Sequence, residues 1–548
     1  MKLTTMKSRA IALVSTTALV IGVVAAVPAH AAGPLCDGKF PVQTCGGATS
    51  DTAPYGMQIP ANFNGTVVLY SHGYRPNVAI PKGIPGYGGY VVTNTPETAA
   101  GQAYGKMDTT QYLLSQGYAL MGSGFARQGW NPDSAIKTNV ELIGLFKEKF
   151  PTTKHVVAWG QSLGGVITQG LAEKYPNLVD AVAPMCVADN LAPELTMAGD
   201  YLWGVKTLFD PTIMAGGYAA GVAGYAQSMG DLVKFFTVMG WIKDHLVTGE
   251  YPTTSSATGK ALEAKGVPLR SVVLLLGLMS GISTQSSSFD SVSGPDNANK
   301  LTFPLALSPA LAVFENGASA GALAILAISD AEAQAGGAVF DNQKTDYAAR
   351  IADERGVYNA ALSGNSVIDG ILGALSTANP GAPRAKGDAA AMAKLDALHK
   401  NTGKINVPTI LMVGTADPIT PAGASQRIVA AYADQFEADK AAAVKAYMTS
   451  SKFTPAANKL LMLWSTTPAE YTKFDSAGLP VSLTDTPGTG HCNFTTDQLL
   501  VVAKTLVAAG TTGKLPKRSA TSALVRRTEN LTTDPYFEPA LLKYYDKL

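Results

Sequence analysis

Short apolar runs alternate with longer amphipathic patterns in the first third of the chain. Apolar and β-branched runs predict strands at 66–71, 118–123, 155–159 and 179–186. Helical spacing over 134–150 precedes the third of these runs, and helical spacing over 163–175 follows it. Strands of about five to eight residues that alternate with helices of about 12 to 16 predict an α/β fold, in which helices cover both faces of a parallel sheet.

This alternation stops near residue 189 and resumes near residue 406. The stretch between is rich in Ala, Gly and helix formers and has apolar runs at 271–282 and 321–328. Because an insertion of roughly 215 residues is too long for an unstructured loop, we predict a mostly helical domain. Further strands are predicted at 407–414 and 479–484, and a last helix at 496–509.

The predicted organisation has four parts after the N-terminal segment. They are a first α/β segment at 32–189, a helical insertion at 190–405, a second α/β segment at 406–512 and a C-terminal extension at 513–548. The extension is polar and carries no chemical signature.

The N-terminus has the pattern of a secretory signal. Basic residues within 1–9 precede an apolar run over 10–27, which ends in an A-x-A pattern at 29–31. We predict cleavage after Ala31 and export of the mature protein. The alternative is an uncleaved membrane anchor, which the hydroxyl side chains at 15–17 disfavour.

Charge and composition narrow the possible partners. The 548 residues include 42 basic and 41 acidic side chains, with no long run of one sign, so no footprint for nucleic acid or an acidic membrane appears. Hydrophobic residues make up 46% of the chain, too many for disorder. No internal apolar run is clean enough over the ~20 residues that a bilayer requires. We therefore expect a globular protein without stable membrane insertion, and the pattern leaves the oligomeric state open.

The four cysteines form an even set without metal-type spacing. Export permits disulfides. Cys36 and Cys45 would close a short loop, which leaves Cys186 and Cys492 for a long-range bridge; two separate buried thiols are the alternative, since sequence does not fix connectivity. The zinc-binding motif H-E-x-x-H does not occur in the sequence. The stretch 296–299 is interpreted as a turn rather than a calcium loop, because the EF-hand spacing is absent. We therefore predict neither a metal nor a cofactor.

Two segments match the nucleophile pattern G-x-S-x-G, centred on Ser162 and Ser319. A nucleophile elbow requires a strand before the first glycine and a helix after the second. Ser162 has both. Ser319 lies in an Ala-rich stretch that we interpret as a turn connecting helices. For Ser162 the alternative is a Gly-rich turn without chemistry.

A serine nucleophile needs a base, usually histidine. We favour His491, in the Gly-rich loop 486–493 between the last predicted strand and the final helix, which Thr495 and Gln498 begin as a capping box. A purely structural histidine is the alternative. The other five histidines are expected away from this role. His30 belongs to the signal, and His72 lies in a loop after a strand, where we expect it to shape the loop. His155 begins its strand at the end away from Ser162, and His245 and His399 are expected to be exposed in the insertion.

An orienting carboxylate completes such a site. Asp417 directly follows the strand pattern at 407–414, and the chain order Ser162, Asp417, His491 is the one expected for a hydrolase of this kind. Asp485 is the rival acid. It lies six residues before His491 and is interpreted as a turn residue.

Four motifs carry a family resemblance: SHGY at 71–74, WGQSLGG at 159–165, GTADPITP at 414–421 and GHCN at 490–493. With these the chain resembles the α/β-hydrolase fold family, specifically secreted bacterial serine esterases and lipases, over segments of roughly 160 and 110 residues. The resemblance implies an α/β-hydrolase fold with a large, mainly helical cap. It also implies an oxyanion hole formed by the backbone N–H of Leu163 and of Gly73 or Tyr74.

The GHCN motif is similar to that of tannases and feruloyl esterases, in which the cysteine beside the histidine bonds to one beside the serine. This chain departs from that pattern, because Gln161 occupies the position before the nucleophile. Cys186, at the end of the neighbouring predicted strand, is the candidate partner of Cys492 instead.

These residues predict hydrolysis of a carboxylic ester, small or polymeric, through an acyl-enzyme. The apolar insertion suggests a bulky hydrophobic substrate, with Trp130 and Gln161 as candidate pocket residues. One alternative is an exopeptidase or amidase, although such relatives usually carry Gly-Gly-Pro-Gly after the oxyanion His-Gly. The other is a catalytically silent binding protein.

Overall fold

The computed structural model describes residues 33–533 except 86, 190, 295–306, 399–400, 451–452, 477–478 and 483–485. The proposed signal segment, His30, His399, Asp485 and the 296–299 stretch lie outside the described residues.

A ten-stranded mixed sheet forms the centre of the molecule, in the order β1-β2-β3-β5-β4-β6-β7-β8-β9-β12. Its six strands from β5 to β9 run parallel, while β1 to β3 and β12 join the two edges antiparallel. The strands in the described part of the chain, of which β10 and β11 form a separate pair, are β1 Leu35–Cys36, β2 Val42–Ala48, β3 Pro54–Pro60, β4 Thr66–Ser71, β5 Ala119–Ser123, β6 His155–Gln161, β7 Ala181–Met185, β8 Thr409–Gly414, β9 Leu460–Ser465, β10 Lys473–Phe474, β11 Pro480–Val481 and β12 Leu531–Thr532.

Helices cover both faces of this sheet, which confirms the predicted α/β-hydrolase fold class. The helices are α1 Asp108–Ser115, α2 Pro132–Lys149, α3 Leu163–Lys174, α4 Leu191–Leu208, α5 Gly221–His245, α6 Ala257–Ala264, α7 Leu269–Ser280, α8 Ser308–Ala335, α9 Tyr347–Arg350, α10 Ala352–Val357, α11 Asn365–Ala374, α12 Ala389–Leu398, α13 Ala422–Ser450, α14 Thr496–Thr512 and α15 Arg518–Val525.

The central strands are buried on both sides. In β4, Val67 and Leu69 belong to the core shared with α2 and α3, whereas Val68 and Tyr70 belong to the core shared with α1 and α14. This alternation is the period of two of a strand, with both faces apolar. It explains why these segments are continuous apolar runs in the sequence.

Helices α4 to α12 lie between β7 and β8 and pack mainly on one another around α8. Small residues on α8 permit close packing. An added Cβ at Gly317 would lie 2.2 Å from the hydroxyl oxygen of Tyr201, and one at Gly321 would lie 2.3 Å from the ring of Phe235. Ser319 lies between these two glycines inside α8, so the predicted connecting turn is wrong.

Helix α8 is also the one described helix that is long and apolar enough to cross a bilayer by length and composition. Most of its apolar stretch is buried inside the protein. No internal apolar run of this length was predicted from the sequence. The burial of α8 is typical of a core helix in a globular protein.

One carboxylate attaches α8 to the loop that precedes α2. Asp330 accepts hydrogen bonds from the backbone N–H of Trp130 at 2.6 Å and from the side-chain amide of Asn77 at 2.8 Å. Arg127 lies 3.5 Å from the same carboxylate. The insertion is thus fastened to the core next to Trp130.

The structure corrects the prediction at both edges of the sheet. Among the described residues of the 479–484 region, only the two residues of β11 form a strand, and β11 pairs with β10 outside the main sheet. The last parallel strand is β9, whose LLMLWS sequence is a short buried run. The three N-terminal strands were missed because β2 and β3 contain Gly or Pro, which are rare in strands. Strand β12 belongs to the C-terminal extension.

Two glycines allow α3 to start directly against the sheet. A Cβ at Gly160 would lie 2.2 Å from the carbonyl oxygen of Gly164, and a Cβ at Gly164 would lie 2.0 Å from that of Ser71. Backbone atoms cannot move aside as a flexible side chain can. Both flanking glycines of the motif therefore have a packing reason.

We expect Gly164→Ala to lower the free energy of unfolding by at least about 2 kcal/mol, because its methyl group meets backbone. The control is Gly144→Ala, on the exposed side of α2 with nothing within 4 Å of its Cβ, which should be neutral or stabilising by roughly 0.5–1 kcal/mol. Urea denaturation of both variants measures the difference. Equal stabilities would contradict the packing argument.

Candidate active site

Ser162 occupies the sharp turn between β6 and α3. Its backbone has φ 57° and ψ −124°, a conformation that is costly for a residue with a Cβ. Its N–H is held by the carbonyl oxygen of Met185 at 3.0 Å, at the end of the neighbouring strand. The turn directs the hydroxyl group away from the sheet into a cavity under the helical insertion. This is the geometry of a nucleophile elbow.

The structure brings Ser162, His491 and Asp417 together from three separate parts of the sequence. His491 Nε2 lies 2.8 Å from Ser162 Oγ. On the other side of the ring, Nδ1 lies 3.1 Å from each carboxylate oxygen of Asp417. Asp417 follows β8 and His491 precedes α14, so both lie at the same edge of the sheet as Ser162.

Asp417 is buried and fully engaged. Its carboxylate accepts hydrogen bonds from the N–H groups of Ile419 at 2.9 Å, Thr420 at 3.0 Å and Cys492 at 3.0 Å, and from the Thr420 hydroxyl at 3.0 Å. Burial by itself would raise the pKa of Asp417. The charge and hydrogen bond of His491, together with the backbone donors, outweigh burial and lower the pKa below its usual value. Asp417 is therefore ionised.

An ionised Asp417 fixes the proton of His491 on Nδ1. The lone pair of Nε2 then faces the serine hydroxyl at hydrogen-bonding distance, as a general base requires. The arrangement can remove the hydroxyl proton and carry the resulting positive charge on the imidazole next to a carboxylate.

The backbone of Gly73 lies directly against the nucleophile. A Cβ at this position would lie 3.5 Å from Ser162 Cβ and 3.4 Å from the carbonyl oxygen of Gln161. Leu163 is the first residue of α3, where backbone N–H groups have no acceptor within the helix. Leu163 and Tyr74 both line the cavity beside Ser162. The three residues expected around the oxyanion are thus adjacent to the serine.

The cavity above Ser162 has a volume of about 80 Å³ and is partly open to solvent. Trp130 lines it. The insertion contributes an apolar wall that the sequence did not specify, from α4 and α8: Leu191, Leu195, Met197, Ala198, Tyr201, Leu323, Ala324 and Ala327.

Gln161 is not among the residues that line this cavity. Its side chain instead accepts a hydrogen bond from the Tyr70 hydroxyl at 3.1 Å and donates to the carbonyl oxygen of Cys492 at 3.4 Å. Gln161 therefore links β4 to the loop that carries His491.

Both expected disulfides are present, Cys36–Cys45 and Cys186–Cys492. The second bridge lies beside the candidate nucleophile and base. The N–H of Ser162 lies 3.3 Å from Cys186 Sγ, and Cys492 directly follows His491. The bridge therefore ties the end of β7 to the loop that carries the histidine.

One group of described residues has the ligand atoms for a metal ion close together, namely Asp417, His491 and Cys492. The sulfur of Cys492 is in a disulfide, and His491 Nδ1 is occupied by Asp417. These atoms are engaged with one another, and their chemistry does not fit a metal site.

The remaining described histidines have other surroundings. His155 starts β6 beside Asp180, as expected. His245 was expected to be exposed but is half-buried, stacked on Trp241 with ring centroids 4.2 Å apart. His72 is buried with its Nδ1 2.7 Å from the carbonyl oxygen of Gly73. Burial, and then the charge of Arg75, lower the pKa of His72 to about 4, so it is neutral.

No protein-family model matches the chain, and no curated protein matches it. Solved structures similar to it include feruloyl esterase B from Aspergillus oryzae, at 12% identity and a TM-score of 0.35, over 87% of this chain and 81% of that one. They also include the Pyrococcus furiosus esterase Pf2001, at 15% identity and a TM-score of 0.22, over 29% of this chain. The chain spans 58% of the length of that esterase. Because these TM-scores are low, only the chain's own sheet order and site geometry bear on its fold and chemistry.

We expect removal of the Cys186–Cys492 bridge, by alanine at both positions, to lower kcat by about 100-fold, since the loop that holds His491 loses its tie to β7. It should also cost about 5 kcal/mol of unfolding free energy, because the bridge closes a loop with a sequence separation of 306. The control removes Cys36–Cys45, with a separation of 9, and should leave kcat unchanged. Similar kcat values for the two double variants would contradict a positioning role.

The lowered pKa of the buried His72 predicts that the folded protein loses stability in acid. Its folded pKa of about 4 lies below the ordinary 6.5, so the unfolded chain binds a proton first as the pH falls. The unfolding free energy of the wild type should therefore drop by about 2 kcal/mol more between pH 7 and pH 4.5 than that of His72→Gln. Urea denaturation at the two pH values gives this difference, and parallel losses would rule the explanation out.

Proposed function

We propose that this protein is a secreted serine hydrolase that cleaves carboxylic esters through an acyl-enzyme. The observation that carries the proposal is the continuous hydrogen-bonded path from Asp417 through both nitrogens of His491 to Ser162 Oγ. Chain order and the elbow conformation of Ser162 support the same chemistry. The two disulfides are consistent with export.

In the proposed reaction, His491 accepts the proton of Ser162 as its oxygen bonds to the ester carbonyl carbon. The tetrahedral oxyanion is stabilised by the N–H groups of Leu163 and of Gly73 or Tyr74, each donor being worth about 3 kcal/mol. His491 then protonates the departing alcohol, which leaves an acyl-serine. Water repeats these steps, so that the acid is released and Ser162 regains its proton.

The cavity supports a substrate with a bulky apolar part. Its wall combines loop residues of the core, including Trp130, with apolar side chains of α4 and α8. Sites that lie between two domains and are lined by apolar side chains typically enclose most of a ligand. The insertion thus serves as a cap over the acyl-transfer site.

Replacing Ser162 by Ala should abolish turnover of an aryl ester, because the nucleophile is lost, whereas Ser319→Ala should keep wild-type rates. Ser319 is the matched control, since it shares the G-x-S-x-G pattern but lies on the exposed side of α8. Hydrolysis of p-nitrophenyl esters measures both variants. The assignment fails if Ser319→Ala is the inactive one.

Two further measurements separate the rival functions. An exopeptidase or amidase would turn over a peptide anilide faster than the matched aryl ester. A silent binding protein would not react with a fluorophosphonate, which labels an activated serine. The proposed esterase is labelled at Ser162 and prefers the ester.

A further inference from the structure

The cavity beside Ser162 contains polar atoms that lack partners. Tyr74 Oη, Trp130 Nε1 and Glu194 Oε1 are buried and have no hydrogen-bond partner among the described residues. All three side chains line this cavity. Buried polar atoms are normally paired, and each unpaired one costs about 1–3 kcal/mol. Three of them in one largely apolar cavity are groups to which a bound ligand can form hydrogen bonds.

Glu194 is the most unusual of the three. It lies in the first turn of α4, on the wall formed by the insertion, and the mechanism assigns it no step. Carboxylates are normally ionised at helix N-termini and stabilised there by backbone N–H groups. Glu194 Oε1 has no such donor.

The neighbouring charges disfavour an anion at this position. Asp189 and Asp417 act on Glu194 with like charge, and the side chains that stabilise these two carboxylates are already engaged with them: Arg427 pairs with Asp189, and His491 is hydrogen-bonded to Asp417. Burial first, and these two carboxylates second, raise the pKa of Glu194 well above its usual range. Both effects favour the neutral carboxylic acid over the carboxylate, and the acid can donate one hydrogen bond and accept others.

We propose that Glu194 is a specificity-determining residue, whose carboxyl group lines the cavity and hydrogen-bonds a hydroxyl group on the apolar part of the ester that enters it. The substrate class is therefore a hydroxylated apolar ester rather than a plain alkyl or aryl one. This inference rests on the proposed ester hydrolysis. It adds a recognition element that is independent of Ser162, Asp417 and His491.

A hydroxyl group fits better than a cationic group. An ammonium group would have to lose its hydration in a cavity with apolar walls, and the ion pair that it formed would recover little of that cost. A hydroxyl group leaves no charge to bury and satisfies both the donor and the acceptor of the acid. Sites built around such a bond discriminate strongly, because the analogue without the hydroxyl leaves the buried polar group unpaired.

The test uses matched pairs of esters in which a terminal hydroxyl group is replaced by a methyl group, in the acyl half or in the alcohol half. The wild type should prefer one hydroxylated member by at least about tenfold in kcat/KM. Glu194→Leu should remove this preference while still cleaving the methyl member. Glu194→Gln, which keeps a neutral donor and acceptor, should retain it. Thermal unfolding confirms that the variants fold, and Glu194→Met replaces the leucine variant if that one does not.

A preference that is absent in the wild type, or unchanged in the leucine or methionine variant, overturns the inference while the ester hydrolysis stands. A third ester, with an ammonium group in place of the hydroxyl, tests for an ionised carboxylate. Faster turnover of this ester, lost in Glu194→Gln, overturns the neutral acid. If no ester is cleaved and a fluorophosphonate does not label Ser162, the proposed function itself fails and the inference fails with it.

Discussion

The burial of Asp417 is the constraint on which the rest of the site depends. A carboxylate inside the protein must have its acceptors filled, and here the donors come from its own loop, from the backbone beside His491 and from the His491 ring. These bonds lock the turn after β8 to the loop before α14. The histidine is thereby fixed over a serine that arrives from a different segment of the chain. Losing the carboxylate would free the loop as well as the ring.

The insertion is connected to this arrangement by polar contacts at its margins and by apolar packing elsewhere. Asp330 fastens α8 to the loop of Trp130 through a backbone N–H, so the cap wall and the core wall of the cavity are joined there. The cavity is consequently shaped by both parts. A change in either part alters the space above Ser162 without touching the reacting groups.

The local pattern of apolar residues was sufficient to predict a strand where the segment is buried on both sides. The runs of β4, β6 and β8 are apolar because two cores cover them, and Ser162 could be separated from Ser319 because a strand directly precedes only the first. Contacts between segments that are distant in the sequence could not be predicted from local patterns. The glycines around Ser319 exist because Tyr201 and Phe235 press against α8, and no local rule distinguishes them from turn glycines. Glu194 looks like an ordinary helix-start acid until Asp189 and Asp417 are placed near it.

The long disulfide also orders events in time. Between Cys186 and Cys492 lie the whole insertion and β8, so the bridge cannot close until almost the entire chain has been synthesised. In a reducing compartment its two thiols would stay separate, whereas an oxidising one joins them. For a protein exported as we propose, the serine and the histidine loop would be covalently linked only after transit. The molecule would then leave the cell's interior before its hydrolytic machinery is fully assembled.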